Sequence, residues 1–257
     1  MGYSLLSINH NLPALNLHRS IQQSSWHFGK SMEKLASGLA INHASDDPAG
    51  LVISEKMRTR IASLNQEIEN VSNQINKYNT ADSSLMQMRS QLTEMRSLAV
   101  AAANEGTIDE GMRRAYQSEM DNLAGSYNRI RNTASFGSQA LLDGSEGSVA
   151  AASEIPAQDL STAENAGKAI ERIDEEIQRL DSTLSNVGAY QKHDLQRTLS
   201  NLRVEHQNLT AAESTIRDVD YAAEFTNLLK NQIMFSAGVS LLAHAGFASN
   251  SLLSLFE

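Results

Sequence analysis

Residues 57–78, MRTRIASLNQEIENVSNQINKY, decide the fold. Met57, Leu64, Val71 and Tyr78 fall seven apart, and Leu85, Leu92 and Ala99 continue the series without a break. Ile61, Ile68 and Ile75 fill the second seam position. After Asp82 that seam drifts one place back, to Met88 and Met95. A seven-residue repeat held this long imposes a left-handed supercoil against partner helices. No proline interrupts the run, so one helix is expected from near Pro48 to about Ala103. At 1.5 Å per residue such a helix is a rod of roughly 80 Å, which needs equally long partners.

The partner comes later in the chain. Ser161-Thr162-Ala163-Glu164 reads as a capping box that opens a return helix. Ile170, Ile173, Ile177, Leu180, Leu184 and Val187 make its first seam. After Gly188, Leu195, Leu202, Leu209 and Ile216 continue at seven-residue spacing. The stretch from Ala166 to Val219 thus matches the outgoing helix in length and period. Between them, Thr107-Ile108-Asp109-Glu110 reads as another capping box. It opens a helix to about Arg131, striped by Met112, Tyr116, Met120, Leu123, Tyr127 and Ile130. Residues 132–160 form a turn-around with a short hairpin, anchored by Phe136, Leu141, Leu142, Val149, Ile155 and Leu160. That segment is too short for a catalytic domain. Its Ser145, Ser148 and Ser153 are candidate O-glycosylation positions.

The two ends of the chain are shorter helices. Residues 9–37 make the first, capped by Asn11 with Pro13 in its first turn and ended by Gly38. Leu17, Ile21, Phe28, Met32 and Leu35 share one stripe, while Leu12, Leu15 and Trp26 lie opposite. The last helix, about Asp220 to Ala245, carries Phe225 in its first turns and Leu228, Phe235, Val239 and Leu242 on one face. Leu229 and Ile233 form a second face, and Met234 and Leu241 a third. A helix apolar all round requires burial that the chain itself does not offer, so self-association is expected. The candidate self-assembly residues are Leu12, Leu15, Trp26, Phe28, Phe225, Leu228, Phe235, Val239 and Leu242. A two-fold dimer and an open head-to-tail polymer both satisfy this requirement. The paired Asp46 and Asp47 sit just before Pro48, where carboxylates serve orphan helix N–H groups and the macrodipole.

The fold class is therefore mainly α: an elongated antiparallel coiled-coil bundle with a short irregular or β-hairpin turn-around. Residues 1–42 with 220–257 form a terminal-helix domain. Residues 43–219 form the long-helix rod, which includes the turn-around. Composition agrees, with 5% aromatics, three prolines, 14 glycines and a net charge of −9 among 257 residues. The acidic balance argues against nucleic acid. No apolar run approaches the length of a membrane span. The start lacks the basic region and cleavage site of a signal peptide. With no cysteine there are no disulfides or thiolate sites. The seven histidines never occur at i, i+4, and no nucleotide-binding or nucleophile-elbow motif occurs, so no catalysis, cofactor or metal is expected.

Several motifs resemble those of the bacterial flagellins. They are Leu35-Ala36-Ser37-Gly38-Leu39-Ala40-Ile41-Asn42, Asp46-Asp47-Pro48-Ala49-Gly50-Leu51, and Met95-Arg96-Ser97-Leu98-Ala99-Val100 followed by Ala103-Asn104. Gly188-Ala189-Tyr190-Gln191, Ile216-Arg217-Asp218-Val219-Asp220-Tyr221-Ala222 and Leu252-Leu253-Ser254-Leu255 complete the set. The match covers the whole chain except the turn-around and suits a short form with almost no variable middle. The resemblance implies a secreted structural protein that polymerises into the flagellar filament for motility, external or periplasmic. It implies an export chaperone at the C-terminal helices, passage through the flagellar type III secretion apparatus, and contact with hook-associated and cap proteins. It also implies an innate-immune-receptor contact at Arg96, Leu98 and Glu119, although Glu94 stands where recognised members carry an arginine. The tail after Gln232, with Ala243-His244-Ala245-Gly246-Phe247-Ala248, departs from the family's glutamine- and asparagine-rich habit. A hook–filament junction protein and an unrelated coiled-coil dimer are the alternative readings.

Overall fold

The computed structural model describes residues 11–253 except Glu105 and Thr107, with side chains as far as Ala245. Its helices are α1 (Leu12–Ser37), α2 (Pro48–Ala102), α3 (Glu110–Thr133), α4 (Ala163–Tyr190), α5 (Gln196–Arg217) and α6 (Tyr221–Leu253). Between α3 and α4, β1 (Ser135–Phe136) pairs antiparallel with β2 (Gln139–Ala140). The fold is mainly α with one short hairpin, as the periodicity implies. The chain divides into two compact units, residues up to 62 with those from 207 on, and residues 63–206.

In the 63–206 unit the heptad seam of α2 is the core. Leu64, Leu85, Met88, Leu92, Met95 and Ala99 are fully buried. Ile68, Val71, Ile75 and Tyr78 are half-buried. Against the upper seam pack Met120, Ala124 and Tyr127 of α3 and Ala166, Ala169, Ile173, Leu180 and Val187 of α4. Two arginines of α2 fork onto aspartates of α4. Arg89 pairs with Asp181, and Arg96 Nε donates to Asp174 Oδ1 at 2.6 Å with Nη2 on Oδ2 at 3.2 Å. Tyr127 donates its buried hydroxyl to Glu176 Oε1 at 3.3 Å. Burial and that carboxylate push the Tyr127 phenol well above its ordinary range.

The turn-around is held more firmly than its composition suggests. Leu141, Leu142 and Leu160 are fully buried and Ile155 nearly so. Three side chains of α3 bond the backbone of the descending segment. Asn128 Nδ2 donates to the Ile155 carbonyl at 2.7 Å, and the Ile155 N–H returns to Asn128 Oδ1 at 3.0 Å. Gln117 does the same between the Gln158 carbonyl and the Leu160 N–H, and Arg131 Nε donates to Ala152 O. Phe136, expected as an anchor, is exposed on the two-residue-strand hairpin. That hairpin turns at Gly137 with φ +62°.

Three boundaries differ from the sequence reading. Asp109, not Thr107, caps α3, accepting from Met112 N at 2.7 Å; Thr107 lies outside the described residues. Met112 is consequently exposed in the first turn. Thr162, one residue after Ser161, caps α4 by accepting from Asn165 N. The return helix is also not one continuous α-helix. A π turn, Gln191–Leu195, separates α4 from α5.

Candidate self-assembly interface

The second unit joins α1, the connector 38–47, the start of α2, the end of α5, and α6. Asn11 caps α1 through a bond from Ala14 N at 3.0 Å, with Pro13 in the first turn. Gly38 ends the helix in the left-handed region, φ +75°, its N–H on Lys34 O at 2.9 Å. Asp220 opens α6 by accepting from Ala222 N and Ala223 N. The helices run antiparallel. Asn11 Nδ2 donates to the Ala245 carbonyl at one end, while Leu39 bridges Asp218 at the other.

The α1–α6 seam is unusual in what it contains. The most buried residues of α1 are Ser24 and Ser31, at 4% and 3% exposure. They sit seven apart between Leu17, Ile21, Phe28 and Leu35, which are only half-buried. On α6 the half-buried positions Glu224, Leu228, Asn231, Gly238, Leu242 and Ala245 mix two leucines with small or polar residues. A groove of about 670 Å³ beside the seam is lined by Ser24, Ser31, Lys30, Lys34, Lys230 and Asn231.

A second set of apolar side chains points away from the seam. Leu12, Leu15 and Trp26 on α1 are 62%, 60% and 61% exposed, and Ile233 on α6 reaches 67%. Phe225, Leu229, Met234, Val239 and Leu241 are exposed as well. The seam of this helix pair buries two serines most fully and Leu17, Ile21, Phe28, Leu35, Leu228 and Leu242 only partly. A second set of large apolar side chains stays in solvent, more than a self-sufficient bundle leaves exposed. Of the sequence-derived assembly residues, Leu12, Leu15, Trp26, Phe225 and Val239 face outward. Phe28, Leu228 and Leu242 serve the seam, and Phe235 stands at its edge, 39% exposed. Met32, placed on the inward stripe by its spacing, is exposed. Ser24, Ser31, Asn231 and Gly238 escape a search for hydrophobic residues. Their signal is the seven-residue spacing, 24–31 and 231–238.

The connector between α1 and α2 is fixed by charge. Asp47 is the α2 cap, its Oδ1 accepting from Ala49 N at 3.1 Å and Gly50 N at 2.9 Å. Asp46 does different work from its neighbour. Its carboxylate accepts from the backbone N–H groups of Asn42 and His43 and from Lys30 Nζ at 3.1 Å. The His43 N–H and the Lys30 ammonium hold that carboxyl down at about 2. Glu33 takes His43 Nε2 at 2.7 Å, and Glu55 takes Arg217 at 2.6 Å. The Arg217 and Arg58 guanidinium groups lower the Glu55 carboxyl in turn.

The remaining candidate residues lie in the 63–206 unit. Arg96 and Glu119 are exposed, although Arg96 is already forked onto Asp174; Leu98 is half-buried against the core. Ser145 is exposed with its hydroxyl donated to Asp143 at 2.7 Å, whereas Ser148 and Ser153 are half-buried. Among the described residues no cluster of histidine, aspartate or glutamate could hold a metal ion, and no helix is long and apolar enough to cross a membrane.

Comparison with known proteins gives matches along nearly the whole chain. The model of the bacterial flagellin N-terminal helical region matches residues 8–147, and that of the C-terminal helical region matches 170–256. The chain is 37% identical to a flagellin of Halalkalibacterium halodurans, covering 97% of this chain and 99% of that one. It is 33% identical to flagellin FlaB2 of Treponema pallidum over 97% and 99% of the two chains. It is 32% identical to a flagellin of Bacillus subtilis over 98% and 100%.

Proposed function

Because this chain belongs to the bacterial flagellin family and is a structural filament subunit rather than an enzyme, we propose that it polymerises through the outer faces of α1 and α6. The observation that carries this reading is the apolar outer face of that helix pair, with Leu12, Leu15, Trp26 and Ile233 in solvent while the most buried α1 residues are serines. A subunit with such ends gains its missing burial only from further copies. Head-to-tail contacts that do not close on themselves then give a filament. The terminal helices up to residue 42 and from 220 on act as the polymerising domain, and residues 43–219 as the rod.

The same exposed apolar faces suit the partners that a flagellin meets before and after assembly. An export chaperone would cover α6 until the chain enters the type III secretion apparatus, and hook-associated and cap proteins would abut the ends of the filament. The finished filament lies outside the cytoplasm. Glu119 and the exposed edge of Arg96 are the accessible part of the immune-receptor contact, with Leu98 acting through packing. Ser145, then Ser148 and Ser153, are the acceptors for sugar.

Electron microscopy of the purified protein tests the central claim. Filaments should grow from the unaltered chain and be absent with Trp26→Asp or Ile233→Asp, both of which leave the monomer's melting unchanged. Long filaments from either variant would sink it.

A further inference from the structure

With no cysteine in the chain, no disulfide can tie its helices together, so an oxidative tie has to use another side chain. Tyrosine offers one, because oxidised phenols couple through the ring carbons beside the hydroxyl. Among the described residues, Tyr78, Tyr116, Tyr127, Tyr190 and Tyr221, one pair of tyrosine rings is in contact. Tyr78 of α2 meets Tyr190, the last residue of α4, with ring centroids 5.0 Å apart and planes tilted by 33°.

Both rings are held in place. Tyr78 is half-buried and packs against the core of the 63–206 unit, and Tyr190 lies against it from the return helix, 42% exposed. The next residue on each helix is tied too, since Gln191 Nε2 donates to Asn79 Oδ1. Ring contact and amide bond together keep the two phenols opposite each other, while one of them stays open to solvent and to an oxidant. The contact also lies at a border in the packing. Before it, Ile173, Leu180 and Val187 of α4 are buried against the core; beyond the π turn, α5 has no buried residue. A covalent bond here would hold the return helix where its packing thins.

We propose that Tyr78 and Tyr190 are an oxidative cross-linking site, at which a peroxide acting through a haem peroxidase joins α2 to the end of α4 as dityrosine. Each phenol gives up one electron and its hydroxyl proton. The two phenoxyl radicals form a carbon–carbon bond between ring positions beside the oxygens. The hydrogens those carbons carried move to the oxygens and restore the phenols. The peroxide takes up the two electrons and two protons and leaves as two waters. Burial, and then the neighbouring Tyr190, raises the Tyr78 phenol above its ordinary value, so at neutral pH it loses proton and electron together. Coupling within the chain outruns coupling between chains because the partner ring already stands in place, and a turn of two rings replaces an encounter in solution. The bond closes α3, the turn-around and α4 into one loop, which restricts the unfolded chain as a long-loop disulfide does. The site lies inside the 63–206 unit and does not depend on which surfaces polymerise.

Limited hydrogen peroxide with a catalytic amount of haem peroxidase, given to dilute full-length monomer, tests the site. Blue dityrosine fluorescence should appear in a species of monomer size whose mass has fallen by two hydrogens. Peptide mapping of the unaltered chain should join residues 78–89 to residues 180–192, a readout that needs no variant to fold. Tyr78→Phe and Tyr190→Phe keep the ring and should each lower the monomer's dityrosine fluorescence about ten-fold, whereas Tyr116→Phe should leave it unchanged. The cross-linked chain should melt about 5 °C or more above Tyr78→Phe treated in the same way, so that side oxidation of methionine cancels. The site is overturned by an absence of dityrosine, by links that form only between chains, or by links that map to Tyr116 or Tyr221. Parent-level fluorescence in either phenylalanine variant of the pair overturns it as well. A linked chain with no rise in its midpoint would overturn the tie between α2 and α4.

Discussion

Gly238 faces Ile21 so closely that a Cβ on the glycine would stand 2.7 Å from Ile21 Cγ1. Ile21 is β-branched with a stiff χ1, so it has little room to yield. The antiparallel pairing of α1 and α6 therefore depends on a missing methyl group. Gly238→Ala should strain the pair by about 1–3 kcal/mol, offset in part by the better helix propensity of alanine, about 1 kcal/mol. The expected outcome is a higher critical concentration for polymerisation with an unchanged melt of the 63–206 unit. A critical concentration equal to that of the parent would show that the close approach is not used in the filament.

The long-helix seam offers a graded test. Leu64 is fully buried, whereas Leu202 is half-buried. An unpaired carboxylate at Leu64 should destabilise by several kcal/mol, and one at Leu202 by less, because that side chain is already partly exposed. Circular-dichroism melts of Leu64→Asp and Leu202→Asp should rank in that order. A reversed order would mean that α5 is packed more tightly than its exposure indicates.

Much of this was legible because a heptad is a long-range statement made by local residues. The α2 seam, the Asn11 and Asp47 caps and the Gly38 stop all follow from side-chain type and spacing alone. The π turn was written in the eight-residue gap from Val187 to Leu195, yet a gap does not say whether a helix kinks, bulges or ends. The role of Asp46 was not legible either. A carboxylate beside a helix start reads as a cap, and only the fold of the connector turns it toward Asn42, His43 and Lys30. Ser24 and Ser31 went unread because hydrophobic patterning treats small polar residues as outward.

The turn-around should accept insertions at its tip and refuse them a few residues later. Glu146 is exposed, and the loop around it meets the rest of the unit chiefly through Lys77, which donates to the Gly147 carbonyl. Beyond Val149 the backbone is bonded by Arg131, Asn128 and Gln117 in succession. A short tag after Glu146 should leave both melting and filament formation intact. The same tag after Pro156 should separate the Ile155 and Leu160 anchors and lower the melting midpoint clearly. Equal tolerance at both positions would remove the assigned role of the α3 amides.

The Asp46 latch has a defined pH window. Its folded carboxyl sits at about 2, below the ordinary 3.8. A depressed carboxyl adds stability that is fully present above the ordinary value and is lost as pH falls through the folded one. Exchange protection of the connector amides, among them those of Asn42 and His43, should hold from neutral pH to about 4 and decline toward 2. In Asp46→Asn protection should be low at neutral pH and show no such decline. A parent protein that loses connector protection already near pH 6 would place the controlling group elsewhere.

The terminal helices should be the least stable part of the free subunit. Their shared seam buries two serines and approaches through a glycine, while Leu12, Leu15, Trp26 and Ile233 lie in solvent. The apolar burial needed to offset the ordering of α1 and α6 is therefore largely missing until neighbours supply it. The 63–206 unit has its own core of leucine, methionine and isoleucine and does not share this debt. Polymerisation then couples to folding of the ends, which lowers the affinity per contact. Brief trypsin treatment of monomer should cut at Arg19, Lys34 and Lys230 and leave a resistant fragment containing residues 63–206. The same sites should be protected once filaments have formed. Monomer whose ends resist trypsin as long as its core does would show that α1 and α6 fold without partners, and coupled assembly would have to be abandoned.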